Sequence, residues 1–246
     1  MILVANGCSH TAGAEMEYVS QRRCYEKAWP KYLSELLGYT HINLSDSGAS
    51  GHRVVRTTMR YVIDQFSKRK DLSDHFFIIN WPGAHRTELR KLSDGSDEEQ
   101  LLFYDDEWLP LIVGNDESYK RTFSKRLYTY YKSWVATSEA IKPRLDYLHD
   151  IILLQNFFLL HKIKFLFWSA SYVNLTPAHK ELEGYKGLIH SKTFPYFTDV
   201  TQSYTVLLKN NGQKISEYSL HSHYDENAQR WFASYLHSYL ANSSII

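Results

Sequence analysis

The chain has 246 residues, 43% of them hydrophobic and 22% charged, enough to bury one sizeable core. With 28 Lys and Arg against 27 Asp and Glu the formal net charge is +1, which excludes an electrostatic footprint for nucleic acid or for an anionic membrane. Two cysteines, Cys8 and Cys24, offer neither a disulfide framework nor metal-ligand spacing.

In chain order, Ile2–Ala5 reads as a short buried strand ended by Asn6-Gly7. It is too short for the apolar core of a signal peptide and lacks a basic leader, so a cytoplasmic protein is expected. Ala28–Gly38 reads as a helix: its apolar positions 29, 32, 33, 36 and 37 share one face, and Gly38 suits the stop. His41–Leu44 is a second strand, followed by the polar turn Ser45–Gly51. A helix carrying Val54, Val55, Thr58, Met59, Val62 and Phe66 comes next. Phe76–Trp81 is a third strand, ended by Pro82-Gly83. The repeated strand, loop and helix predict a parallel sheet with crossover helices.

The middle departs from that rhythm. Lys91–Glu99 is charged and loop-like, and Leu101–Asn115 is aromatic-rich without a clear period. Ser118–His161 reads as mostly helical, broken at Lys142-Pro143 because proline disfavours helix in the residue before it. Residues 91–143 are therefore expected to form a helical and aromatic insertion. Its Tyr104, Trp108, Tyr119, Tyr128, Tyr130 and Tyr131 suit a core, a subunit contact or a substrate wall. The apolar run Ile151–Leu160 is broken by Gln155 and Asn156 and is too short to span a bilayer. Lys164–Trp168 is a fourth strand, and Ser171–Lys214 reads as loop with one strand at Tyr204–Lys209. Ala228, Trp231, Phe232, Tyr235, Leu236, Tyr239 and Leu240 give a final amphipathic helix, with Asp225 as its N-cap. With no repeat or linker in view, one domain over residues 1–246 is expected.

Parallel sheets bind ligands outside the carboxyl ends of their strands. Three loops leave such ends, at Gly7–Gly13, Ser45–Gly51 and Asn80–Glu88, and His221-Ser222-His223 precedes the last helix. Ser9 supplies a nucleophile and His223 a base, if the fold brings them together. Taken singly, Ser9 and Gly48 read as turn residues and His223 as a surface or capping histidine. Their order, each at an element boundary, makes them a set.

Gly7-Cys8-Ser9 with Gly13, Asn43-Leu44 through Gly48 and Ser50, and His223–Ala228 resemble three sequence blocks of the SGNH (GDSL) hydrolases. The resemblance implies an α/β fold, a three-layer α/β/α sandwich with a mainly parallel central sheet, and a serine hydrolase of esters or O-acyl groups, O-acetyl carbohydrates among them. It implies Ser9 as nucleophile, His223 as base, and the N–H groups of Ser9 and Gly48 as oxyanion donors, with no cofactor. The substrate implied is a small ester or an acylated glycan. The wording around Ser9 is also similar to bacteriophage-encoded members, which implies association with a virion; association into an oligomer is a separate expectation.

Two blocks depart from the family pattern. The orienting acid is expected two or three residues before the base, where this chain has Leu220 and His221. Glu217 or a backbone carbonyl is a substitute. In the third block the oxyanion asparagine is matched only by Asn80, about three positions early, which suits either an oxyanion donor or a sheet residue. His85 and Arg86 supply positive character there or sit in a solvated loop. These departures favour a second reading, a catalytically impaired phage structural or glycan-binding protein. His10 is not expected to be the base, because neighbours on a turn point apart, and His221 with His223 does not complete a metal site.

Overall fold

The computed structural model describes residues 1–17, 23–90, 108–137, 142–171, 181–197, 199–219, 222–243 and 245. Four strands form one all-parallel sheet: β1 (Ile2–Gly7), β2 (Thr40–Asn43), β3 (His75–Trp81) and β6 (Lys164–Ser169), in the order β2-β1-β3-β6. Alternation of side chains divides the sheet between two cores. Leu3, Ala5, Phe76, Ile78, Leu166 and Trp168 face one way, against α2 (Trp29–Leu37) and the final helix α9 (Glu226–Asn242). Val4, Phe77, Ile79, Phe165 and Phe167 face the other, against α3 (Gly51–Ser67) and α6 (Lys142–Leu160). The result is the α/β/α sandwich implied by the sequence.

The first core is locked by one polar connection. The backbone N–H of Trp29 donates to Gln229 Oε1 at 3.0 Å, and Gln229 Nε2 donates to the Tyr204 hydroxyl at 2.6 Å. Phe232 stands edge-on to Trp29 and Tyr204, with centroids 5.6 and 4.7 Å away. Truncating a buried aromatic of this kind typically costs about 3–5 kcal/mol. Helix boundaries follow the chemistry of the ends: Gly38 closes α2 at φ +68°, Ser50 caps α3, and Asp225 Oδ1 accepts from the Ala228 N–H at 2.9 Å to start α9.

Two assignments differ from the sequence reading. Tyr204–Asn210 is a helix, α8, not a strand; Tyr204, Leu207 and Leu208 are buried at helical spacing, and packing against α9 overrides the β-rich local composition. Arg86–Arg90 is a strand, β4, rather than loop, paired antiparallel with β5 (Trp108–Ile112). This ribbon joins α4 (Asp116–Thr122) and α5 (Lys125–Thr137) around Leu109, Leu111, Tyr119, Phe123 and Tyr131, and the Tyr119 hydroxyl bonds Pro110 O and the Ile112 N–H. The stretch 171–214 also holds α7 (Glu181–Lys186). The charged loop 91–99, Tyr104, Leu220 and His221 lie outside the described residues. Among the described residues no helix is long and apolar enough to cross a membrane.

Candidate active site

At the carboxyl end of β1 the chain turns into α1 (Ser9–Ala12), a single helical turn with Ser9 as its first residue. Gly7 is required just before it: a Cβ there would stand 2.5 Å from Thr11 Oγ1 and 2.7 Å from Asn80 O. The Asn43 amide at the end of β2 donates to Thr11 O at 2.8 Å, tying this turn to the neighbouring strand. Ser9 is buried, and among the described residues its hydroxyl makes no hydrogen bond with the protein.

The next loop, 44–50, is fixed from below. Asp46 is buried; its Oδ1 accepts from the Ser47 N–H at 2.8 Å, and its Oδ2 faces Arg53 at 3.6 Å and Arg23 at 3.7 Å. Arg53 also donates to Leu44 O at 3.0 Å. Gly48 follows with φ +76°, a conformation that side chains disfavour, and its N–H has no backbone acceptor among the described residues.

His223 comes from the turn before α9. The bridge between Ile215 and Tyr224, with Ser216 N–H donating to His223 O at 2.8 Å, shapes that turn. Its ring meets a carboxylate that sequence reasoning did not assign: His223 Nδ1 lies 2.7 Å from Glu15 Oε2, with both side chains buried. A carboxylate only accepts, so Nδ1 carries the hydrogen. Ser219 Oγ donates to the same Oε2 at 2.6 Å and accepts from the backbone N–H of His223 at 2.7 Å, while Ser216 Oγ donates to Glu15 O at 2.8 Å. Glu15 and Ser222 both have left-handed backbone, φ +57° and +60°, so strain gathers beside the pair, as it does at functional sites. Glu217, the substitute considered from sequence, is exposed.

Ser9, Gly48 and His223 all border one cavity of about 390 Å³. Leu109, Pro110 and Ile112 of the β4–β5 ribbon, with Tyr119 and Phe123, line it as well. His10 lines it too, its ring 4.9 Å from that of His223 and 5.0 Å from that of Tyr204. Burial, then the nearness of His223 and Arg86, keeps the His10 pKa well below the usual histidine range. It stays neutral beside the His223 ring.

Asn80 is not on this cavity. It sits within β3, fully buried, and its Nδ2 donates to Thr11 Oγ1 at 3.2 Å. Register explains the placement: Asn80 pairs with Gly7, one step inside the sheet from the Ser9 turn. Among the described residues no group of three or more His, Cys, Asp or Glu side chains is arranged to hold a metal.

Similar folds occur among solved structures. An esterase, EstA from Pseudoalteromonas sp., aligns at 12% identity and TM-score 0.46, over 98% of this chain and 97% of its own. The acetyl xylan esterase AlAXEase aligns at 13% and 0.44, over 98% and 100%. A lipolytic protein of the G-D-S-L family from Desulfitobacterium hafniense, described as putative, aligns at 11% and 0.43, over 97% and 99%. No curated protein matches the sequence. A family model described as a family of unknown function, DUF6071, matches residues 15–188, a span that holds Glu15 and Gly48 but neither Ser9 nor His223. Since that span is more than half of the chain, the protein belongs to the DUF6071 family.

Proposed function

We propose that this protein is an SGNH-like serine hydrolase that cleaves a small ester or an O-acyl group on a glycan. The observation that carries the reading is the 2.7 Å contact between His223 Nδ1 and Glu15, beside a cavity that Ser9 also borders. With Nδ1 engaged by Glu15, the proton from Ser9 goes to Nε2. Ser9 Oγ attacks the carbonyl carbon, and His223 then protonates the departing alkoxide as the ester C–O bond breaks. Water attacks the acyl-Ser9 intermediate by the same route, giving the carboxylic acid and restoring Ser9.

The N–H groups of Ser9 and Gly48 hold the oxyanion, each worth roughly 10²–10³ in turnover by analogy with other acyl-transfer enzymes. The Asn80 amide, turned toward Thr11, is better read as a sheet residue than as a third donor. Against an impaired binding protein stands Glu15, in the place of the missing orienting acid; Asn80, away from the cavity, and the many aromatics speak for it.

The test is a fluorophosphonate probe together with a short-chain chromogenic ester. Labelling at Ser9 and turnover, both abolished in a folded Ser9→Ala variant, are expected. An unlabelled protein, or a Ser9→Ala variant with full turnover, refutes the mechanism.

A further inference from the structure

We propose that the cavity selects esters carrying a negative charge close to the scissile bond, and that Arg86 recognises that charge. The proposal rests on the hydrolase reading above and adds a substrate class to it.

Among the described residues lining the cavity, Arg86 is the only permanently charged side chain, and no Asp or Glu lines it. Glu15 lies behind His223, and His10, on the same wall, is held neutral. Nearby arginines are engaged. Arg53 bonds Leu44 O and faces Asp46, and Arg56 makes a two-pronged contact with Glu88 at 2.9 and 2.8 Å. Arg86 has one long hydrogen bond, from Nη1 to Ala49 O at 3.4 Å, and no carboxylate among the described residues within ion-pair distance.

On its other side Arg86 borders a smaller cavity of about 90 Å³. The acids there are taken: Asp150 by His52 at 2.9 Å and Asp146 by Lys142 at 2.5 Å. The guanidinium is thus anchored next to Gly48 with most of its five N–H donors unused, in a wall otherwise neutral. A planar fork of this kind suits a carboxylate, which can accept two bonds at once. An arginine burdened only by one carbonyl contact beside the reacting centre is a recognition element waiting for its anion.

Binding to the Ser9→Ala variant reads the charge preference without any turnover, so it is independent of whether the chain hydrolyses esters. Two matched pairs place the charge on either side of the ester: monomethyl succinate against methyl levulinate, and acetoxyacetate against acetoxyacetone. In at least one pair the anion is expected to bind about tenfold tighter or more, by an NMR titration at low salt. Arg86→Met should erase the preference, Arg86→Lys should retain most of it, and added salt should weaken it. The pair that responds identifies the acyl or the alcohol side. Equal binding within both pairs, or a preference that survives Arg86→Met, overturns the proposal. So does an equal loss of kcat/KM on neutral and charged esters when Arg86→Met is made with Ser9 intact, because the guanidinium would then serve the oxyanion instead.

Discussion

Replacing Glu15 by Gln keeps the shape of the orienting group and removes its charge. Both donors to Oε2, His223 Nδ1–H and Ser219 Oγ–H, can still be accepted by an amide oxygen in the same place, so the turn around His223 should persist. What is lost is the attraction to the imidazolium formed when Ser9 gives up its proton. At an effective dielectric of about 20, a unit charge about 4 Å away contributes about 4 kcal/mol, or about 10³ in rate. The equivalent change in trypsin-type triads costs about 10⁴, part of it through the wrong tautomer. Turnover of a chromogenic ester by Glu15→Gln should therefore fall about 10³- to 10⁴-fold, with a slowed rate of fluorophosphonate labelling and a circular-dichroism spectrum like that of the parent. A folded Glu15→Gln protein within tenfold of the parent would refute the assignment of Glu15 as orienting acid.

Gly48→Ala forces a side chain into φ +76°, at a cost of about 1–2 kcal/mol, and shifts the N–H proposed for the oxyanion; kcat should drop about 10²-fold or more with little change in KM. His10 has a folded pKa below its unfolded value of about 6.5, so as pH falls below that value the unfolded chain takes up the proton first. Stability present at pH 7 is thus lost on acidification toward the folded pKa, and thermal unfolding from pH 7 to 5 should show a shallower decline in His10→Phe than in the parent. Asp225→Ala removes the cap of α9 and should cost about 1 kcal/mol, seen as a midpoint lowered by about 2–4 °C.

The sheet was legible because β1, β3 and β6 are short apolar runs, buried on both faces, with turn residues at their carboxyl ends. Ser9 and Gly48 lie just past strands whose ends the composition marks, and His223 lies just before a helix whose start Asp225 marks, so all three stand at legible boundaries. Glu15 is not legible in this way, because it reaches the His223 ring from the turn after α1 and not from the residues just before His223. The available signal was an acid six residues beyond Ser9, close behind Gly13. Arg86 supplies positive character in the sequence, but its position on the wall depends on the β4–β5 ribbon, whose partner strand has no readable period. Tyr-Thr-Val-Leu-Leu at 204–208 has the composition of a strand, and only its contact with α9 makes it helical.

The hydrogen bond between His223 and Glu15 joins residues 208 positions apart. During synthesis the carboxylate leaves the ribosome long before its imidazole partner exists, and closing so long a loop is entropically slow. A nascent chain can therefore pair its central strands before Glu15 has met its partner. The Glu15–His223 contact is completed only when the last turn and helix dock against the rest of the fold.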